Sequence, residues 1–478
     1  MKIEVDPDRT TYEMFKDEVR KFNQQALLEL TAAKCIALQD APVPDWSPMF
    51  PWALAATVRA SLIYGNTHRH TIPRETDLAR CCLLYQNITP LERSGSPLAT
   101  PLSIITRTAF EQFPYQESGS EEVARADAFF NGYSGRQSLE IVSDQTLREL
   151  LGASVTEAVG VGLMLHGGAY FNNGYFDPGW LDQPNFSDVL EVVPRSTIES
   201  VVRASFVTDV AGFRNKAAAA PANPLLPQYT FNPLTERPLI QMPDGRALAP
   251  VPQLITRKLS PIELYYAGIR RFGQAFTRDM GELFEDYVGR QFSTLPQATV
   301  LPEIVYKVKK DEVKTVDWFV NLGSHLLLVE AKASRFNLAS RIGDESLDSQ
   351  LKDTVGKAYR QINRTHQALI ASQLGDMVPR DLPVIGVVAT LDSSYGMNGT
   401  FVRQLLPETD IPVLVASARE LEMLVAIGQR QEIGPILQGI VDGEKSTWHL
   451  GPALTEHYQQ GDQNPLHEAS WAKYPWGS

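Results

Sequence analysis

Two carboxylates and an ammonium, Asp317, Glu330 and Lys332, stand at a spacing suited to chemistry on a phosphate. The stretch Leu326-Leu327-Leu328-Val329-Glu330-Ala331-Lys332-Ala333 reads as a strand. Side chains alternate across a strand, so Glu330 and Lys332 share one face while Val329 and Ala331 share the other. Four aliphatic residues run into Glu330, which predicts a strand buried on both faces. Charges at the end of such a strand cost on the order of several kcal/mol unless they are paired or bind something. In Thr315-Val316-Asp317-Trp318-Phe319-Val320 a single carboxylate sits among mostly apolar neighbours. Asp317 and Glu330 lie 13 residues apart across a short turn, so a hairpin brings them together. They would supply the hard oxygen ligands that Mg²⁺ prefers. Lys332, in reach of the same place, would orient a water or stabilise charge building on a phosphoryl oxygen. The plainer alternative is a solvated edge hairpin carrying a Glu–Lys salt bridge.

The elements that must position these residues follow from pattern. A helix is expected from about Pro261 to Phe292, with Phe276, Met280, Leu283, Phe284, Tyr287 and Val288 on its apolar side. Three strand-like runs come next, Ala298 to Lys309, Lys314 to Asn321 and His325 to Ala333, the last two joined by the turn Asn321-Leu-Gly-Ser. A second helix is expected from Asp348 to Ala371, then strands at Pro383 to Thr390 and Ile411 to Ala418, and a helix from Arg419 to Gln429. That order predicts one mixed sheet with helices on its faces.

Residues 1–215 read as a mainly helical domain, with helices at Tyr12 to Ala37, Phe50 to Tyr64, Glu75 to Tyr85, Asp144 to Leu165 and Arg195 to Asp209. His166-Gly-Gly reads as a helix end. Residues 216–258 hold eight prolines between Pro221 and Pro252, which suggests a linker, with a possible hairpin about Pro243-Asp-Gly. Residues 259–431 form the expected α/β domain. The tail 432–478 has no assigned structure or role.

With the elements in place, the sequence resembles the PD-(D/E)XK nuclease superfamily, the restriction-endonuclease-like fold with an αβββαβ core. Asp317 matches that family's metal-binding Asp, and Glu330-Ala331-Lys332 its E-x-K, although Val316 stands where Pro is usual. Gly281-Glu-Leu-Phe284-Glu285 looks like the recurrent G-x-x-F-E, and Lys357-Ala-Tyr359-Arg-Gln361 resembles the active-site helix. The resemblance spans about Pro261 to Thr390. It implies an endonuclease that hydrolyses DNA phosphodiester bonds with Mg²⁺, or with Mn²⁺ in its place. Asp317, Glu330 and Glu285 would hold the metal, Lys332 would act in catalysis with Glu285 and Gln361 in support, and Gln361 and Tyr359 would face inward. It further implies bacterial restriction or anti-phage defence, with the helical domain acting as sensor, partner-binding or oligomerisation element. The alternatives are an inactive module of the same fold that binds nucleic acid or protein, and an enzyme that cleaves RNA.

Composition bounds these readings. The 478 residues carry 44 Lys+Arg against 56 Asp+Glu, a net charge of −12, which argues against a protein that coats nucleic acid by bulk charge. From Ser260 to Ser372, however, 15 basic residues meet 14 acidic ones. Lys357, Arg360, Arg364 and Arg335 are the expected backbone contacts, with Arg341 and Lys352 nearby. Lys307, Lys309, Lys310 and Lys314 are read as a charged surface hairpin, interleaved with Asp311 and Glu312. Three cysteines without C-x-x-C spacing exclude a disulfide scaffold and a cysteine zinc module, and fit a reducing cytoplasm. No secretory leader is read at the N-terminus, and the apolar run Ala158 to Leu165 is short of the roughly 18–20 residues of a membrane span. His68 and His70 are expected in a solvated loop, and His325 at a turn facing solvent. No P-loop motif occurs.

Overall fold

The computed structural model describes residues 9–39, 47–89, 100–115, 118–135, 137–333, 338–344, 346–393 and 396–474. The protein is mixed α/β, with helices through the N-terminal half and a mixed sheet in the C-terminal half. Its residues form two compact units. One comprises 1–94, 111–126 and 143–267; the other comprises 95–110, 127–142 and 268–478.

In the first unit, helices Tyr12–Val19, Gln24–Ala37, Pro51–Tyr64 and Glu75–Gln86 pack about Phe15, Leu27, Leu54, Val58 and Leu78. The expected single helix from Tyr12 to Ala37 is two. Asn23 adopts an extended backbone, and its side chain accepts the Ala26 amide at 3.0 Å, starting a new helix. The expected helix from Asp144 to Leu165 is likewise two, Asp144–Leu151 and Val155–Phe171. Gly152 turns left-handed at φ 86°, and Ser154 with Glu157 forms a capping box. The second of these runs through His166-Gly-Gly, which is therefore helix interior and no helix end. By length and composition alone Asp144–Phe171 is apolar enough to cross a membrane, but Gly152 divides it into two shorter helices and half of its apolar window is buried in the protein.

The proline-rich segment contributes Leu234, Ile240, Met242, Leu248, Val251 and Leu254 to the core of this unit. The expected hairpin is present, Leu239–Gln241 against Ala247–Leu248, within a small four-stranded sheet. Cys35, Cys81 and Cys82 are free and buried, and His68 and His70 are exposed.

The second unit holds a five-stranded sheet. In spatial order its strands are Val413–Ser417, Val384–Thr390, Leu326–Lys332, Trp318–Asn321 and Thr299–Pro302. The first three run parallel, and the last two are antiparallel to their neighbours. Helix Val355–Ile370 packs on the sheet with Leu326, Leu328, Phe319 and Val388, and helix Gln274–Ser293 contacts it through Trp318. Gly386 sits where an added Cβ would come within 2.8 Å of both Ile362 and Val413, so a glycine lets that helix approach the sheet. The predicted first strand, Ala298 to Lys309, divides into Thr299–Pro302 in the sheet and Val305–Val308, which pairs with Asp311–Lys314 in a separate hairpin. The helix predicted from Pro261 breaks at Gly273, φ 71°. The unassigned tail forms helices Ile433–Asp442, Leu450–Thr455 and Pro465–Trp471.

Candidate active site

Glu330 lies near the end of the central strand Leu326–Lys332 and is 1 % exposed. Its Oε1 accepts from Lys332 Nζ, while its Oε2 is buried without a hydrogen-bond partner. In the neighbouring ladder Trp318 faces Val329, so one further step sets Asp317 beside Glu330. Asp317 Oδ2 accepts the Ala331 amide at 2.7 Å, so the side chain takes up a bond that a strand carbonyl would otherwise hold.

A local irregularity aims Asp317. Pro302 faces Trp318 in the sheet, whereas Val305 faces Lys314 in the side hairpin. Two residues, Glu303 and Ile304, are thus matched by three, Thr315, Val316 and Asp317. An extra residue on one strand is a bulge, which bends the strand and redirects its side chains. Hydrogen bonds fix it: the Ile304 amide donates to Thr315 Oγ1 at 2.9 Å, and the Thr315 amide to the Ile304 carbonyl at 3.1 Å. From helix Val355–Ile370, Gln361 Nε2 donates to the Thr315 carbonyl at 2.7 Å, and Thr365 Oγ1 accepts the Val316 amide at 3.0 Å. Gln361 and Thr365, one helical turn apart, therefore hold the two residues that precede Asp317.

Glu285 comes from helix Gln274–Ser293. Trp318 Nε1 donates to the Glu285 carbonyl at 2.8 Å, and Gly289 lets the indole lie against the helix, since a Cβ there would meet the ring at 2.3 Å. Gly281 of the G-x-x-F-E motif has open space about it. The three carboxylates feel one another. Burial first, and then the Asp317 charge, raise Glu330 to about 8. Burial and Asp317 raise Glu285 to about 7. Burial raises Asp317 to about 6 against the opposing pull of Lys332 and the Ala331 amide. Such shifts mark negative charge gathered in a poorly solvated place.

One residue absent from the sequence reading, Glu303, stands here, together with Lys314 of the charged hairpin. Glu303, opposite the bulge, pairs with Lys314 at 3.0 Å, and both bear on Asp317 electrostatically. Counting register across the hairpin, rather than looking for motif letters, would have found Glu303.

The remaining expected residues scatter. Tyr359 is buried in the core with its hydroxyl unpartnered. Arg364 is exposed, and its Nη2 reaches the Lys314 carbonyl at 3.0 Å. Arg360 is exposed, and Lys357 is exposed beside Asp353. Arg341 is committed to Asp392 and lies over the Phe110 ring. Arg335 lies outside the described residues. The Lys307–Lys314 segment is the solvent-exposed hairpin expected, with Lys309 at its turn. His325 does not face solvent: it is 8 % exposed, with Nδ1 at 3.2 Å from Ser324 Oγ.

Among the described residues no three His, Cys, Asp or Glu side chains already stand at metal-holding spacing. The donor set nevertheless suits a hard cation. It is all oxygen, one of its atoms is buried without a partner, and Mg²⁺ is commonly bound through one or two carboxylates with water completing its shell. In comparisons with known proteins, no family model matches the chain, and neither the curated proteins nor the solved structures gave a match.

Proposed function

We propose that this protein is a metal-dependent endonuclease of the PD-(D/E)XK type, hydrolysing DNA phosphodiester bonds. The observation that carries the reading is the meeting of Asp317, Glu330 and Lys332 at the ends of two adjacent strands, with an unpartnered carboxylate oxygen among them. The run of helix, strands, helix and strand from Gln274 to Thr390 supports it.

Asp317 and Glu330 would hold Mg²⁺, or Mn²⁺ in its place, with Glu285 in support. The cation supplies Lewis acidity toward the phosphoryl oxygen and acidifies a bound water. Lys332, which contacts Glu330 in the free protein, would present its ammonium to negative charge developing on the phosphate. Gln361 and Thr365 position Asp317 through the backbone before it. Exposed Arg360, Arg364 and Lys357 would meet the phosphate backbone.

By resemblance the reading extends to restriction or anti-phage defence in the cytoplasm, with the activity restrained by the N-terminal half or by a protein partner. The test is supercoiled-plasmid cleavage with Mg²⁺, Mn²⁺ or EDTA. Nicking by the wild type is expected with either metal, with a loss of at least about 100-fold in Asp317→Ala and Lys332→Ala. Cleavage unaffected by both substitutions would sink the assignment. Matched DNA and RNA duplexes decide the substrate.

A further inference from the structure

We propose that Glu303 belongs to the cation-binding carboxylate set, and that Lys314 is a resident counter-cation which a divalent ion displaces. The inference rests on the reading of Asp317 and Glu330 as cation ligands and adds a residue that no part of the E-x-K pattern supplies.

The geometry is a row. Ladder pairing sets Pro302 against Trp318 and Trp318 against Val329. The next row brings Glu303 opposite the Val316–Asp317 bulge and Asp317 beside Glu330, so three carboxylates come from three neighbouring strands. Within that row, Glu330 Oε2 is buried without a partner on a residue only 1 % exposed. A ligand-free site of this kind needs positive charge, and two lysines provide it from opposite ends: Lys332 on Glu330 and Lys314 on Glu303 at 3.0 Å.

The two pairs differ in how easily they part. The Lys332 side chain is 26 % exposed and its partner Glu330 1 %, whereas Lys314 is 65 % exposed and Glu303 25 %. A buried pair is costly to break, while an exposed lysine exchanges its partner for water at little cost. Lys314 is therefore the one to leave. Its neighbours permit this, since the hairpin that carries it is held by backbone contacts, Arg364 to the Lys314 carbonyl and Thr315 to Ile304, and by no contact to its ammonium other than Glu303 among the described residues. A divalent ion brings twice the charge of the ammonium and hard-oxygen coordination that an ammonium lacks.

The experiment is titration of the full chain with Mn²⁺, without nucleic acid, following free Mn²⁺ by electron paramagnetic resonance. Glu303→Gln is expected to weaken Mn²⁺ binding about tenfold, and Lys314→Met to strengthen it about tenfold. Strengthening cannot arise from a misfolded chain, so the second variant guards the first. Equal affinity in wild type and Glu303→Gln, or weaker binding by Lys314→Met, overturns the inference. Cleavage assays on the same preparations separate it from the nuclease reading. Mn²⁺ binding that responds to both substitutions in a chain that cuts nothing upholds the cation site and removes the nuclease.

Discussion

Glu330 is buried with one oxygen on Lys332 and the other without a partner, and its pH behaviour should show this. Burial and Asp317 lift its folded pKa to about 8, and burial also lifts Glu285 and Asp317. Each then holds a proton in the folded state that the unfolded chain has already released. The folded state binds more protons between the ordinary carboxylate range and about pH 8, so stability falls as pH rises through that window. Metal-free protein should lose on the order of a few kcal/mol between pH 5 and pH 8, read from urea midpoints in EDTA. Glu330→Gln should flatten the slope. Partly buried His166 and His366, whose pKa values desolvation lowers, act in the opposite direction, so the comparison is between variant and wild type. A slope unchanged by Glu330→Gln would show that the carboxylate is ionised throughout. Tyr359 offers a contrasting expectation. Its buried hydroxyl lacks a partner, so Tyr359→Phe should stay within about 0.5 kcal/mol of wild-type stability or gain, with cleavage unaltered.

The elements act on the site through backbone contacts. Thr365 gives the Val316 amide its acceptor, and both are fully buried. Thr365→Val keeps the shape and orphans the amide, at a cost of about 1–3 kcal/mol in the unfolding free energy, measured by urea titration. Gln361→Ala loosens the same junction from a half-buried position and should lower cleavage more than stability. Gly289→Val should be the more severe, because its branched side chain would meet the Trp318 ring that ties helix Gln274–Ser293 to the sheet. These contacts explain which parts were legible. The strand around Glu330 announced itself by four aliphatics in a row, and the helix Val355–Ile370 by its period, both being properties of neighbours in sequence. The bulge at Val316–Asp317 is a mismatch between two registers, and no single strand carries its signature. Glu303 went unseen for that reason. The interruptions at Asn23 and Gly152 were written in capping residues, but the continuous apolar period around them outweighed one polar or glycine letter. His325 misled because turn residues are usually wet, whereas here the turn is covered.

At the scale of the whole molecule, the chain does not divide at one point. The unit with the five-stranded sheet draws residues 95–110 and 127–142 from the N-terminal half and needs the C-terminal tail. Phe129 packs against Tyr287 with ring centroids 5.7 Å apart, both fully buried. Asp279 accepts the amides of Glu140, Ile141 and Val142 at 2.6–3.0 Å, and Asp286 accepts from Ser134 Oγ at 3.0 Å. From the tail, Asn464 Nδ2 donates to Gln291 Oε1 at 2.7 Å and to the Glu422 carbonyl, while Ile433, Leu437, Leu450 and Leu454 are buried. A fragment limited to residues 259–431, the segment that carries every motif letter, would strip these away. Each large apolar side chain so uncovered or lost is worth about 1.5–3 kcal/mol, and several of them equal the whole stability of a typical domain, about 5–15 kcal/mol. The fragment is therefore expected to lack a cooperative thermal transition and to be cut rapidly by protease, while the full chain unfolds cooperatively and resists. A fragment melting at the temperature of the full chain would show that the inserted segments and the tail are ornaments. If it melts early but recovers on adding residues 432–478 and a peptide spanning 127–142, the packing at Tyr287 and Gln291 is what the sheet requires to keep its carboxylates in register.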